Sequence, residues 1–158
     1  MTIAFIGHRK VPQANAVAER LRAKLRLLIE SECADTFLFG SRGEFNALCY
    51  SVVTELKADY PNIKRIYVRA EYPHINDDYA AYLRTLYEYS YFPPQIEKAG
   101  YRIYVERNRI LADSCDMLIC YYNEFVRALR ASGTYAVMQY VRQKIKEYGT
   151  FTGSKKTL

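Results

Sequence analysis

The sequence predicts an α/β fold: a Rossmann-like parallel sheet with helices on both faces, formed as a single domain. Three observations predict it. Short apolar runs of strand length recur at residues 2–6, 36–39 and 117–121, and the first two stop at a glycine. Longer segments between them repeat their apolar residues every three or four positions. The two kinds of segment alternate, which calls for parallel strands joined by crossover helices.

Taken in order, residues 2–6 (Thr-Ile-Ala-Phe-Ile) read as a buried strand ending at Gly7. Over 17–29, Val17, Leu21, Leu25, Leu28 and Ile29 recur at helical spacing with Arg and Lys between them. Residues 36–39 form a second strand ending at Gly40, 45–56 a second helix, and 63–68 a third strand with interleaved charges. The polar, tyrosine-rich stretch 77–89 reads as a helix outside the sheet. Residues 101–105 read as a strand, 108–113 as a short helix and 117–121 as a buried strand, and 134–146 closes the domain as an amphipathic helix. Pro93-Pro94 breaks the chain but is too isolated to mark a boundary. The expected domain is therefore 1–147. Residues 148–158, rich in Gly, Ser, Thr and Lys without periodicity, form a flexible tail.

With 158 residues, half of them hydrophobic, the chain is long enough to bury a core. Sixteen tyrosines beside seven phenylalanines and no tryptophan supply rings with a polar tip, suited to packing at the surface, to a subunit interface or to stacking on a base. The net charge of +6 favours anionic ligands, but the basic residues are scattered and form no nucleic-acid-binding arm. Cys33, Cys49, Cys115 and Cys120 lack CxxC spacing, and only His8 and His74 could join them, which argues against a zinc site. No leader pattern and no bilayer-length apolar run is present, so the expectation is a cytoplasmic protein with reduced thiols, no membrane and no resident cofactor.

In open α/β sheets, ligands bind beyond the carboxyl ends of the strands. At those exits stand Gly7-His8-Arg9, then Gly40-Ser41-Arg42-Gly43-Glu44, then Glu71-Tyr72-Pro73, then Tyr121-Tyr122-Asn123, and Ser132-Gly133-Thr134 opens the last helix. Glycine lets backbone N–H groups approach a ligand, a helix start offers orphan donors to an anion, and arginine forks suit phosphate. Each has a plainer reading as well: a turn glycine, an N-cap, a locally bonded histidine. Their recurrence at every exit is what points to a ligand. Glu44 is a candidate acid there, although a carboxylate in a first helical turn is also what the helix dipole favours. Tyr72 could stack on a base. The cluster Tyr79, Tyr82, Tyr87, Tyr89 and Tyr91 fits a lid or dimer surface better than a nucleic-acid platform, because Asp77, Asp78 and Glu88 would repel phosphate.

Ile6-Gly7-His8-Arg9, Phe39 to Phe45, Tyr104 to Asn108, Ser114-Cys115-Asp116 and Ser132-Gly133-Thr134 occur in an order that resembles the SLOG superfamily, the group joining the Smf/DprA DNA-processing proteins to the LOG phosphoribohydrolases. The closest resemblance is to small stand-alone bacterial members of unassigned function, over residues 2–146. It implies a pocket for a nucleotide or an ADP-ribose-like derivative, and a homodimer. In LOG enzymes a PGGxGTxxE motif binds phosphate and supplies a catalytic glutamate, with an arginine assisting. Here Gly133-Thr134 matches the Gly-Thr pair, Arg107 (followed by Asn108) matches the arginine, and Val137 stands at the glutamate position. Valine cannot move a proton or stabilise a developing cation, which favours a binding or sensing module over an enzyme. The alternatives are a nucleoside-monophosphate N-glycosidic hydrolase with Glu44 as acid, and single-stranded DNA binding.

Overall fold

In the computed structural model, which describes residues 1–40, 43–122, 133–148 and 156–157, the chain alternates strand and helix. It runs β1 (Thr2–Gly7), α1 (Ala14–Glu32), β2 (Thr36–Phe39), α2 (Glu44–Asp59), β3 (Lys64–Val68), α3 (Asp77–Leu86) and β4 (Tyr89–Tyr91). Two single 3₁₀ turns, Pro94–Ile96 and Gly100–Arg102, lead into α4 (Ile103–Asp113), followed by β5 (Met117–Tyr121), α5 (Gly133–Tyr148) and β6 (Lys156–Thr157). All strand pairs are parallel, in the order β4-β3-β2-β1-β5-β6. The fold is a Rossmann-like α/β sheet.

Alternation along each strand divides the core in two. Ile3 and Phe5 of β1 with Phe37 and Phe39 of β2 face α1 and α2, where Leu21, Leu25, Leu28, Phe45, Val52 and Leu56 pack against them. Ala4, Ile6, Leu38 and Val68 face the other way, against Leu111 and Ala112 of α4 and Val137 of α5. Phe5 stacks between Phe37 and Phe39 at 6.2 and 5.3 Å. Each such ring, taken fully out of water, contributes about 1.5–3 kcal/mol. The register sets Gly7 beside Tyr121 and Phe39 beside Tyr67, which brings the carboxyl ends of β1, β2, β3 and β5 to one rim.

Local chemistry sets the helix ends. Cys33, in the left-handed region at φ 52°, ends α1 and lets the Ala34 N–H donate back to Leu28 O at 3.1 Å. The Asn76 side chain accepts from the Tyr79 N–H at 2.8 Å and caps α3, with Asp77 and Asp78 in its first turn. Arg22–Glu55 and Arg26–Asp59 pairs tie α1 to α2, so part of the positive charge on α1 serves helix packing.

Two expectations are corrected. Residues 101–105 are not a strand: they span the end of a 3₁₀ turn and the start of α4. α4 turns Arg107, Leu111 and Ala112 inward, while Tyr101 is 96 % exposed. The helix predicted over 77–89 stops at Leu86, and Tyr89-Ser90-Tyr91 pairs with β3 as the outer strand. Aromatic residues alternating with a small polar one suit a pleated edge better than a helix. Lys156 and Thr157, within the predicted tail, pair with β5; its neighbours from 149 to 155 and residue 158 lie outside the described residues. No helix among the described residues is long and apolar enough to cross a membrane.

Candidate functional site at the strand exits

β1 leads into a helix over one face, whereas α5, which follows β5, packs on the other. Strand order also reverses at this pair, because β2 lies on one side of β1 and β5 on the other. At such a switch point, open α/β sheets bind ligands in the crevice outside the carboxyl ends of the strands. His8 stands at the β1 exit. Its N–H donates to Tyr121 O at 3.3 Å, and its ring lies 5.0 Å from that of Tyr122, which in turn lies 6.1 Å from Tyr135 on α5. The side chain is buried and Nε2 has no hydrogen-bond partner among the described residues. Burial lowers the imidazole pKa and favours the neutral ring.

The first two exit loops are interlocked. A Cβ on Gly7 would lie 2.3 Å from the Phe45 ring, so this glycine exists to let α2 pack against β1. Gly43, at φ 110°, passes Arg9 so closely that a Cβ would meet Arg9 Cα at 3.1 Å. The Glu44 N–H donates to Arg9 O at 3.0 Å, while the Glu44 carboxylate accepts from Lys10 Nζ (2.8 Å) and the Val11 N–H (2.9 Å). The Lys10 and Val11 hydrogen bonds hold the Glu44 carboxyl below its usual pKa. Glu44 is thus an ionised clasp between two loops, poorly disposed to deliver a proton. Arg9 is exposed at the rim.

A second group converges from α4. Tyr104, Arg107, Asn108 and Leu111 are three or four residues apart and share a face. Arg107 is only 4 % exposed. Its Nη1 donates to Val68 O and its Nε to Asn108 Oδ1, both at 2.9 Å, so its hydrogen bonds go to neutral oxygens. Burial depresses its pKa, with Tyr67, Glu71 and Tyr104 acting in the opposite sense. The guanidinium lies against Gly40, where a Cβ would come within 2.8 Å of Cζ. The Gly40 N–H donates to Asn46 Oδ1 at 3.1 Å. Asn108 reaches the start of α5, its Nδ2 3.9 Å from where a Gly133 Cβ would sit. Thr134 is buried, and Val137 is wholly buried in the apolar cluster below.

The β3 exit completes the rim. The Glu71 carboxylate accepts from Tyr104 Oη at 2.9 Å and Tyr67 Oη at 3.2 Å. Arg69, 9 % exposed, donates from Nη1 to Tyr72 O at 2.7 Å, and its Nε has no partner among the described residues. Tyr72 is 68 % exposed.

Among the residues singled out by sequence, Gly7, His8, Arg9, Gly43 and Glu44 form one connected group, and Gly40, Arg107, Asn108, Gly133 and Glu71 (through Tyr104) form another. Ser41, Arg42, Asn123 and Ser132 lie outside the described residues. The sequence pointed to Tyr122 at the β5 exit but not to Arg69, Tyr67 or Tyr135, and assigned Tyr104 no role. Tyr104 was findable: it lies one turn before Arg107, a relation hidden by reading 101–105 as a strand. Among the described residues no three His, Cys, Asp or Glu side chains cluster as metal ligands. Neither the protein-family models nor the curated proteins compared with the chain match it. Along the carboxyl rim of the sheet the arrangement offers a buried cation, a helix start, an imidazole biased to its neutral form and a tyrosine-held carboxylate. That is a donor set for an anionic ligand that also carries hydroxyl or ring nitrogen atoms.

Proposed function

We propose that this crevice binds a nucleotide or nucleotide-derived ligand, of ADP-ribose type or simpler, and that the chain acts as a stand-alone SLOG-type binding or sensing module. One observation carries the reading. Arg107 is buried at the strand exits with its hydrogen bonds on neutral oxygens, against a glycine whose lack of a side chain makes its position possible. A buried guanidinium without a hydrogen-bonded carboxylate is costly for the fold alone, and an anionic ligand offsets that cost. The adjoining start of α5 favours the same charge. Thermal unfolding with AMP and with ADP-ribose at millimolar concentration tests it. At a hundredfold excess over Kd, binding adds about 2.7 kcal/mol and raises Tm by several degrees. A flat response across a broad nucleotide panel removes the proposal.

Glu71 supports a second reading, N-glycosidic hydrolysis of a nucleoside monophosphate. Val137 is core and Glu44 is a clasp, whereas Glu71 is held by two tyrosine hydroxyls within the electrostatic reach of Arg107. Release of free base from AMP that disappears in Glu71→Gln would favour this reading. Absence of turnover at high protein concentration would leave binding alone.

A further inference from the structure

Among the described residues, three non-glycine residues have positive φ: Gln13, Cys33 and Tyr72. Gln13 and Cys33 flank α1, where left-handed residues are common as caps. Tyr72, at φ 52°, ends no helix and begins none, since α3 starts at Asp77. It is a bulky residue in a conformation that L side chains rarely adopt, and it precedes Pro73, which pushes its predecessor towards extended backbone. The surroundings hold it there. Arg69, itself buried, donates to the Tyr72 carbonyl at 2.7 Å and is pinned to β4 by its own N–H on Tyr91 O at 2.8 Å. On the preceding residue, Glu71 is anchored by the Tyr67 and Tyr104 hydroxyls. Buried partners thus fix a strained backbone whose ring is 68 % exposed just beyond the β3 exit. Such strain persists where the surroundings over-determine it, and it concentrates at ligand clamps.

We infer that Tyr72 is the stacking platform for the heterocyclic base of the ligand, and so the residue that separates a nucleotide from a bare sugar phosphate. This rests on the nucleotide reading above. An aromatic face accepts any base and discriminates by its presence, while Arg107 and the start of α5 serve the phosphate end. The strained turn fixes the Tyr72 backbone before the ligand arrives, so little main-chain freedom is lost on binding.

The test is calorimetric titration of AMP and of ribose 5-phosphate into the wild-type protein, Tyr72→Phe and Tyr72→Gly. Glycine suits the left-handed backbone, so this variant folds at least as well as the wild type, which its Tm checks. The wild type should bind AMP more tightly than ribose 5-phosphate. Tyr72→Phe should keep that preference. Tyr72→Gly should weaken AMP by about 5- to 150-fold, the range for loss of one base–aromatic stack, and leave ribose 5-phosphate unchanged. Unchanged AMP affinity in Tyr72→Gly overturns the platform, as does an equal loss for both probes or a wild type that binds the two alike. A wild type that binds neither probe overturns the nucleotide reading, and the platform with it.

Discussion

Arg65 in β3 and Arg107 on α4 both have tyrosines for neighbours, yet their guanidinium groups have different surroundings. Arg65, in β3, donates to both Glu88 oxygens (3.2 and 2.8 Å), to Thr54 Oγ1 (3.0 Å) and to Tyr50 Oη (3.3 Å), and it lies over the Tyr50 ring. Burial opposes the charge on Glu88, but the Arg65 side chain and N–H, with Lys57 nearby, hold its carboxyl down at about 2. This cluster is complete in itself and joins α2, β3 and the residue before β4. Arg107 is more deeply buried and has no such carboxylate on its nitrogens, only a carbonyl and an amide oxygen. The difference separates an arginine that holds the fold from one available to an anion. Hydrogen-bond partners, more than residue type or burial, make the distinction.

Four experiments bear on that contrast. Arg107→Met should show the largest effect: about 100-fold weaker AMP binding by calorimetry, the loss of one or two charge-assisted hydrogen bonds. Its unliganded stability should move by no more than about 2 kcal/mol, because a buried charge is removed along with its two bonds. Arg65→Met should do the reverse. Denaturant unfolding should show a loss of about 1–3 kcal/mol, discounted because Glu88 is partly exposed, with AMP binding intact. If Arg107→Met instead destabilises and leaves AMP binding untouched, the contrast is wrong.

Gly40→Ala should show a smaller effect. Its Cβ would lie 2.8 Å from Arg107 Cζ, so the guanidinium must shift. Calorimetry should show AMP binding weakened by about tenfold, and unfolding a loss of about 1–2 kcal/mol from overpacking. Smallest are the pH effects, which fall in separate windows. Glu88 has a folded pKa below its unfolded value near 4.5, so its contribution is full above that pH and is lost as pH falls towards about 2. His8 is depressed from 6.5, so its neutral form stabilises the fold above pH 6.5, and that contribution declines as pH falls through the lower folded value. Unfolding free energies against pH for Glu88→Gln and His8→Gln should each lack only their own decline. A coincident decline would show that the two regions are coupled.

Much of this architecture was legible in the residues. The strand at 36–39 and the strand at 117–121 match β2 and β5, because a fully buried parallel strand needs an unbroken apolar run and little else does. Helix α1 was legible through Leu21, Leu25 and Leu28. Short tyrosine-rich segments are ambiguous between helix and strand: residues 89–91 find a pairing partner in β3, whereas 101–105 lead into α4. Gly7, Gly40 and Gly43 were legible as special positions, but not their reasons. One admits the Phe45 ring, one the Arg107 guanidinium and one the Arg9 backbone.

The alternation of apolar runs with amphipathic segments determined by itself that the chain forms a parallel α/β sheet with its polar and glycine-rich residues at the strand exits, because period and burial leave few other ways to hide so many apolar side chains. Which exit carboxylate is closed off by its neighbours and which is held beside a buried arginine was decided by the tertiary structure alone. Glu44 and Glu71 are both carboxylates following strands, yet one is closed off by Lys10 and Val11 while the other is held by Tyr67 and Tyr104 beside Arg107. Three of these four hydrogen-bond partners, Lys10, Val11 and Tyr104, lie 33 residues or more from the carboxylate they hold. A hydrogen bond across such a separation depends on how helices dock on the sheet, which no local pattern encodes.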